Sequence, residues 1–224
     1  MANHSLRRSG LSLLLVFACA APLTGCSASD ETSPAAAASQ QDEALILHRY
    51  FDENPDVLPE HHAWHTTHLR GEPNYGQSFL RFHHAYIGRF MDWRLANGYG
   101  PLPAWNPATP IPNNVRHAGR LTDDPSAKDP LCAPPSWLTA RGGSEREPSC
   151  GASALGEFVS ENQLGSAIDS LFGIRWHQRV HDAVGGDLAD PHKVPLDPIF
   201  WQFHQFIDQT WSDWQLIHPP AAQD

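Results

Sequence analysis

Apolar side chains recur at helical spacing in four stretches of the chain. They lie at about 42–51 continuing into 56–69, at 78–96, at 153–184 and at 198–215. Apolar residues three and four positions apart cover one face of a helix, so each stretch predicts a helix with a buried face. No segment shows the strict alternation that is typical of a half-buried strand. The pattern therefore predicts an all-α fold with a four-helix-bundle core.

The segment between residues 98 and 150 breaks this pattern. It holds ten prolines and the adjacent Gly142 and Gly143. Proline lacks a backbone N–H and clashes with the preceding turn, so long helices are excluded here. We expect one long, irregular, proline-rich loop between two helical halves.

The two helical halves repeat one pattern. In the second and fourth stretches the apolar stripe falls at i, i+4, i+7, i+11 and i+14, and its second member is a histidine. The stripes are Phe79, His83, Tyr86, Phe90 and Trp93 in the second stretch, and Phe200, His204, Ile207, Trp211 and Trp214 in the fourth. A single histidine in an apolar stripe is most often ordinary core, but the same position in both halves indicates a shared use.

Two further histidines face His204. His177 and His181 are four positions apart, so they share one face of a helix that we expect to end at Gly185. Asp197 is a suitable N-cap for the helix that carries His204. Two antiparallel helices would bring these three imidazoles to one point.

A second cluster faces His83. His61, His65 and His68 recur at i, i+4 and i+7 on one predicted helical face. His83 is level with His65 across the connecting turn, so these two are predicted ligands, and the third is His61 or His68. The four-residue spacing in the other cluster favours His61 by analogy, whereas closeness to the connecting turn favours His68. Sets of three neutral imidazoles suit copper, zinc or iron, and the ligands alone do not choose among them.

The other histidines fall off these faces. We expect His62 and His84 to lie beside the site or at the surface. We expect ordinary surface positions for His48, His117, His192 and His218.

The first residues predict a targeting segment. Arg7 and Arg8 precede an apolar run at 11–21, and Leu23-Thr24-Gly25-Cys26 resembles the bacterial lipobox, after which Cys26 is lipidated. We therefore expect an exported protein, anchored by lipid to a bacterial membrane on the periplasmic side or at the cell surface. The composition of residues 26–41 predicts a disordered tether. The predicted organisation is a signal peptide at 1–25, the tether at 26–41, one domain at 42–218 and a tail at 219–224.

Charge and cysteines narrow the partners and the compartment. The formal net charge is −10 and Lys and Arg are not clustered on one face, so nucleic acid is not an expected partner. Cys19 would leave with the leader and Cys26 would carry the lipid, which leaves Cys132 and Cys150. In an oxidising compartment this pair is predicted to form a disulfide, which would contribute about 3 kcal/mol by closing a loop of that size.

One set of motifs resembles a known family. The run Asp197-Pro198-x-Phe200-x-x-x-His204-x-x-x-Asp208, preceded by His177-x-x-x-His181 and by Gly185-Gly186-Asp187, resembles the second copper-site motif of the tyrosinase family, the type 3 copper proteins. Phe79-Leu80-Arg81-Phe82-His83 is similar to the first-site motif of that family, and Leu102-Pro103-Ala104-Trp105 is faintly similar to the segment that follows it. Together the motifs cover most of residues 60–215.

The resemblance implies two copper ions as cofactor. One copper would be bound by His177, His181 and His204. The other would be bound by His83 with two of the upstream histidines. Asp208, one turn after His204, would be the carboxylate that fixes an imidazole tautomer.

Two departures from the family pattern refine this expectation. The family usually takes its middle first-site histidine from a loop where this chain has Asn74. In members that hydroxylate monophenols, an Asn commonly follows the first histidine of the second site, and an upstream Glu helps it hold a basic water. Gln178 and Asp169 stand at those places here. We therefore expect oxidation of o-diphenols rather than hydroxylation of monophenols.

The activity that the resemblance implies is oxidation of o-diphenols or o-aminophenols to quinones or quinone-imines by dioxygen. Its partners would be a small phenolic substrate and dioxygen, and whether an accessory protein loads the copper stays open. Two alternatives stay open. One is a surface lipoprotein that binds copper or dioxygen without catalysis, and the other is a single-metal protein that uses only His177, His181 and His204.

Overall fold

The computed structural model describes residues 42–129, 155–169 and 175–219. The predicted signal peptide and tether, both cysteines of the expected disulfide and residues 220–224 lie outside these ranges. The predictions made for them therefore stay predictions.

Within the described ranges the chain is helical and contains no β-strand. The α-helices are α1 (Glu43–Glu53), α2 (Val57–Thr67), α3 (Tyr75–Ala96), α4 (Pro125–Lys128), α5 (Glu161–Asp169), α6 (Trp176–Val184) and α7 (Pro198–Ile217). Short 3-10 turns lie at Leu155–Glu157, Gly186–Ala189 and Val194–Leu196. The predicted all-α class is confirmed, and residues 97–129 are irregular apart from the short helix α4. None of the described helices combines the length and the apolar character needed to cross a lipid bilayer.

The stretch predicted as helical at 153–184 is divided. α5 ends at Asp169 and α6 begins at Trp176. Arg175, directly before α6, has a φ of 46°, a left-handed conformation that cannot continue a right-handed helix. The expectation of one helical stretch is therefore wrong. The helical spacing of apolar residues continues through Arg175 in the sequence, but the left-handed conformation of this residue interrupts the helix.

The helix that carries His204 has the N-terminus that its sequence predicts. The Asp197 side chain accepts a hydrogen bond from the backbone N–H of Ile199, and Pro198 occupies the first turn of α7. The carboxylate of Asp197 also pairs with the guanidinium of Arg120, whose side chain is only 2% exposed. This buried ion pair ties the irregular 97–129 segment to the start of α7.

The apolar stripes of α3 and α7 meet in the core. Phe79, Tyr86, Phe200 and Ile207 are all at most 1% exposed. Because burial of such large apolar side chains is the main favourable term in folding, these stripes fix how the two helices pack. The single histidine of each stripe is thereby carried into the interior.

The helices α3 and α5 approach backbone to backbone at a pair of glycines. A Cβ atom on Gly165 would overlap the carbonyl group of Gly76, and one on Gly76 would overlap the carbonyl oxygen of Asn162. A close-packed interior has no space to absorb such an overlap. The close approach brings the end of α5, at Asp169, beside the start of α3, at Tyr75.

Candidate metal centre

Six histidines from α2, α3, α6 and α7 come together as two groups of three. Within each group, one ring nitrogen of every histidine lies within 4.8 Å of those of the other two. The first triad is His61, His65 and His83, and the second triad is His177, His181 and His204. Each group therefore has the spacing needed to hold one metal ion.

The two triads are neighbours. The ring of His83 on α3 stacks on the ring of His204 on α7, with centroids 4.6 Å apart and planes 17° apart. The ring of His61 lies 6.4 Å from that of His204, and the ring of His83 lies 6.2 Å from that of His177. Two ions held by the triads would therefore share one compartment.

Matching backbone contacts orient the histidines of the two apolar stripes. The Nδ1 atom of His83 lies 2.8 Å from the carbonyl oxygen of Phe79, and that of His204 lies 2.8 Å from the carbonyl oxygen of Phe200. A carbonyl oxygen only accepts hydrogen bonds, so both Nδ1 atoms carry the proton and donate it. The lone pair is then on Nε2, on the side of the triads.

The remaining histidines of the second triad are oriented in the same way. The Nδ1 atom of His181 donates to the carbonyl oxygen of Leu188 at 2.9 Å. The Nδ1 atom of His177 donates to the carboxylate of Asp169 at 2.9 Å. Metal-binding histidines typically donate their second N–H in this way, which fixes the ring and the tautomer.

The inward nitrogens fit a bound cation. The Nε2 atoms of His177 and His204 face each other at 3.0 Å, a separation at which both nitrogens can bind the same cation. The Nε2 atom of His181 is buried and has no hydrogen-bond partner among the described residues. Neutral imidazole nitrogens of this kind suit copper.

Burial favours the neutral form of five of the six triad imidazoles. It lowers the pKa values of His61, His83, His181 and His204 well below the ordinary value, and the neighbouring imidazoles lower them further. Burial also lowers the pKa of His65 to about 3. A metal ion would therefore not have to displace ring protons near neutral pH.

Asp169 is the carboxylate that supports the second triad. It is 0% exposed and accepts hydrogen bonds from Nδ1 of His177, from the hydroxyl of Tyr75 at 2.7 Å, and from Nε and Nη2 of Arg70 at 2.8 and 3.2 Å. Burial opposes ionisation of Asp169, but the hydrogen bonds and charges of His177 and Arg70 outweigh it and lower the pKa of the carboxyl. These contacts favour the ionised form of Asp169, which accepts four hydrogen bonds.

The role expected of Asp208 is not what the structure shows. Its carboxylate lies 2.7 Å from Nδ1 of His84 and forms an ion pair with that side chain when His84 is protonated. Asp208 cannot fix the tautomer of His204, because the Nδ1 proton of His204 is already donated to Phe200, one turn in the opposite direction. The expectation for Asp208 is therefore wrong.

His68 lies outside the first triad, so the structure brings His61 rather than His68 to His65 and His83. His68 is the C-cap of α2, where the backbone becomes extended, and its ring stacks on Trp64 at 4.7 Å and 11°. Its Nδ1 atom lies 3.1 Å from the carbonyl oxygen of Trp64. The helix ends one residue too early for His68 to share the face of His61.

Some of the histidines expected at the surface do have partners. His117 is 16% exposed and pairs with Asp187 at 2.9 Å. The ring of His192 contacts that of His62, with centroids 3.9 Å apart and planes tilted by 31°. Neither contact reaches the triads, so both histidines stay outside the predicted ligand sets.

Two residues of the site, Arg70 and Tyr75, were not expected from the sequence. Tyr75 is four residues before Phe79 and so extends the apolar stripe of α3 by one turn, a signal that could have identified it. Arg70 is separated from Asp169 by 99 positions in the chain and lies on no stripe, so nothing in the local sequence indicates the contact.

A cavity of about 560 Å³ opens over the triads. Its walls combine imidazole edges with apolar and neutral side chains and include the guanidinium of Arg70. The residues around it include His61, His65, His68, Leu69, Arg70, Tyr75, His177, Gln178, His181, Leu188 and Val194. This volume suits a small aromatic molecule.

A helical fold with two adjacent sites of three histidines defines a class, the dinuclear metalloproteins with all-imidazole ligands. The common central domain of tyrosinase matches residues 47–217. The chain therefore belongs to the tyrosinase family, whose members use two copper ions as cofactor. The two triads are the places where this chain has ligands for them.

Individual relatives match shorter parts. A tyrosinase of Streptomyces antibioticus is 47% identical over 49 residues, which is 22% of this chain and 18% of that protein. The N-acetyl-6-hydroxytryptophan oxidase ivoB of Emericella nidulans is 29% identical over 134 residues, 57% of this chain and 34% of that protein. The chain thus matches well under two thirds of the length of these relatives. No solved structure matches it.

Proposed function

We propose that this protein is a copper-dependent oxidase that converts o-diphenols or o-aminophenols into quinones or quinone-imines with dioxygen as the electron acceptor. The observation that carries the proposal is the contact between the two triads through His83 and His204. A bound copper pair supplies two one-electron acceptors, which matches the two electrons that an o-diphenol loses on becoming a quinone. Two such oxidations balance the reduction of one dioxygen to two waters.

The residues of the chain would hold and orient the reaction rather than take part in it covalently. The donated Nδ1 protons fix four of the rings, so that their inward nitrogens converge without reorganisation. His204 is 0% exposed and His177 is 3% exposed, so bulk water is kept from the floor of the site. The cavity above has room for one phenolic ring.

The surroundings of Asp169 favour o-diphenols over monophenols. Hydroxylation of a monophenol needs a base that accepts the phenolic proton. The carboxylate of Asp169 already accepts four hydrogen bonds from protein groups. Among the described residues, no Asp or Glu lines the cavity. Gln178 is also engaged, with Arg70 and Asp182. Among the residues that the structure describes, no free carboxylate therefore lines the cavity to serve as that base.

Metal analysis combined with optical spectroscopy tests the proposal. The copper-loaded protein should hold two coppers per chain, develop a near-ultraviolet absorption band when its reduced form meets dioxygen, and turn catechol brown. One copper or zinc per chain would point to a single-metal protein. Two coppers and the absorption band without consumption of catechol would point to a non-catalytic carrier. A His48→Ala variant, which removes an exposed histidine paired with Asp52, is the matched control.

We also propose that the protein is exported and anchored through Cys26. The lipobox-like Leu23-Thr24-Gly25-Cys26 supports this. The full chain should fractionate with membranes, and Cys26→Ser should release it to the soluble fraction. Copper uptake by the purified chain from copper salt alone, measured with and without extract from the producing cells, would test the need for a loading protein.

A further inference from the structure

The charge of the cavity differs from that of the chain. The chain has a formal net charge of −10. Among the described residues that line the cavity over the triads, Arg70 is the one Arg, Lys, Asp or Glu. In this acidic protein, none of the described residues that line the cavity is therefore acidic.

The guanidinium of Arg70 is held in a fixed position. Its Nε and Nη2 atoms donate to the two oxygens of Asp169 at 2.8 and 3.2 Å, and Nη2 donates again to the side-chain oxygen of Gln178 at 3.3 Å. No described residue accepts a hydrogen bond from Nη1. The side chain is 36% exposed. A fixed guanidinium whose Nη1 hydrogens are left free can donate charge-assisted hydrogen bonds to an anionic oxygen.

The carboxylate that balances the charge of Arg70 is buried. Asp169 is 0% exposed, and its negative charge is shared with the ring of His177 and the hydroxyl of Tyr75. The other ionisable side chains around the cavity, among the described residues, are those of histidines and of Tyr75. Among the described residues, a ligand in the cavity therefore meets Arg70 but no Asp or Glu side chain, since Asp169, the carboxylate paired with Arg70, does not line the cavity.

We propose that Arg70 makes this site select phenols that bear a carboxylate or another anionic group. The anionic group would accept hydrogen bonds from Nη1 while the ring points to the triads. This inference rests on the proposed function, since it assumes that the site takes phenols, and it names the class of phenol.

Steady-state oxidation of three catechols by the copper-loaded protein tests this selection. The probes are 4-methylcatechol, which is neutral, 3-(3,4-dihydroxyphenyl)propionate, which is anionic, and dopamine, which is cationic. In Arg70→Gln the kcat/KM of the anionic probe should fall about tenfold relative to that of 4-methylcatechol, as expected for loss of a charge-assisted hydrogen bond at a partly exposed site. The relative kcat/KM of dopamine should rise. Arg70→Lys should keep most of the anionic preference.

The matched control is Arg81→Gln. It removes the same charge from an arginine that is 59% exposed, pairs with Glu161 and does not line the cavity. The control should leave the ratios among the three probes unchanged. Equal losses for all three probes in Arg70→Gln would overturn the proposal, because Arg70 would then act only by holding Asp169.

Binding of a probe that cannot be oxidised separates this inference from the proposed function. Calorimetry on the copper-loaded protein should show benzoate binding about tenfold more tightly than benzamide, and Arg70→Gln should remove the difference. If no catechol is oxidised but this Arg70-dependent preference is measured, the oxidase proposal fails and anion selection stands. If catechols are oxidised and the benzoate preference is absent or independent of Arg70, anion selection fails alone.

A second pair of variants covers the case in which Arg70→Gln does not fold. Thr66 is exposed and lines the cavity, and its hydroxyl bonds only to the carbonyl oxygen of Ala63 in its own helix. Thr66→Asp adds a negative charge to the cavity and should lower the relative kcat/KM of the anionic probe, whereas Thr66→Asn, which has the same shape, should not. Equal ratios in the two variants would contradict electrostatic selection.

Discussion

The two triads share a spacing but differ in how their outer nitrogens are held. In the second triad every Nδ1 atom donates to a carbonyl or carboxylate oxygen. In the first triad only His83 does so. The Nδ1 atom of His61 is buried without a partner, and among the described residues no hydrogen bond fixes His65, which is only half-buried.

This difference shows that the spacing of histidines in the sequence decides which of them can bind the same metal ion. The hydrogen bonds of their Nδ1 atoms, which we call the outer contacts, decide how firmly each ring is held. Fixed rings lose less freedom when they bind a metal, so a pre-oriented site binds it more tightly. The half-buried His65 also lines the open cavity. We therefore expect the second triad to be the stronger metal site and the first triad the more adaptable one.

The largest effect should come from removing a ligand of the second triad. His181→Ala should reduce bound copper from two to about one per chain and lower catechol oxidation to the level of buffer, because two imidazoles cannot hold copper in this site. Copper analysis and oxygen uptake measure both quantities. Retention of two coppers and of activity would show that the second triad is not a metal site.

The next effect concerns the start of α7. Asp197→Ala removes an N-cap and leaves Arg120 buried without its partner, which should lower the free energy of unfolding by about 3–5 kcal/mol. The comparison is Asp56→Ala at the N-cap of α2, where the side chain makes no capping hydrogen bond, so little change is expected. Urea unfolding of both variants makes the measurement. Similar losses in the two variants would show that the capping hydrogen bond and the ion pair of Asp197 do not stabilise the start of α7.

Substitution of the carboxylate should lower copper affinity and activity more at Asp169 than at Asp208. Asp169→Asn exchanges an anion with four donors for an amide, and should lower copper affinity or activity about 10- to 100-fold. Asp208→Asn should change either quantity less than about twofold, because Asp208 contacts His84 and no triad member. Copper titration in the presence of a competing chelator gives the affinities. A larger effect at Asp208 would restore the role first expected of it.

Chelation should separate the two coppers. With a competing chelator, one copper should leave about tenfold faster than the other, since one triad lacks outer partners for two of its three rings. His65→Ala should abolish the fast phase and leave the slow phase. A single phase in the unmodified protein would mean that the outer contacts do not distinguish the sites.

The smallest effect should be at His68. His68→Ala removes a ring that stacks on Trp64 outside the first triad and should leave two coppers bound, with activity changed less than about threefold. His61→Ala, its counterpart on α2, should lose one copper. The reverse result would assign the third ligand of the first site to His68.

The second triad could be predicted from the sequence because its ligands are placed by features close to them in the chain. His177 and His181 share a helical face, and the N-cap Asp197 places the start of the helix that carries His204. The sequence did not decide between His61 and His68 as the third ligand of the first triad, because it does not fix the residue at which α2 ends. The structure ends it at Thr67, and this one residue decides between the two candidates.

The long-range contacts of the site could not be predicted in the same way. Arg70 and Tyr75 reach Asp169 across more than 90 positions, and both contacts depend on how α3 and α5 pack. Sequence spacing also favoured Asp208, one turn from His204, although the proton it was expected to accept is taken by a backbone carbonyl. Helical periodicity ran unbroken through Arg175, where the backbone is left-handed.

The glycine contact between α3 and α5 limits how the protein can be engineered for heat resistance. Exchanging a helical glycine for alanine usually raises stability, because the unfolded chain loses freedom. At Gly165 or Gly76 the added methyl group would force the two helices apart and pull Asp169 away from Tyr75. Gly88, also in α3, has nothing within 4 Å of an added Cβ and is the position at which such an exchange should begin.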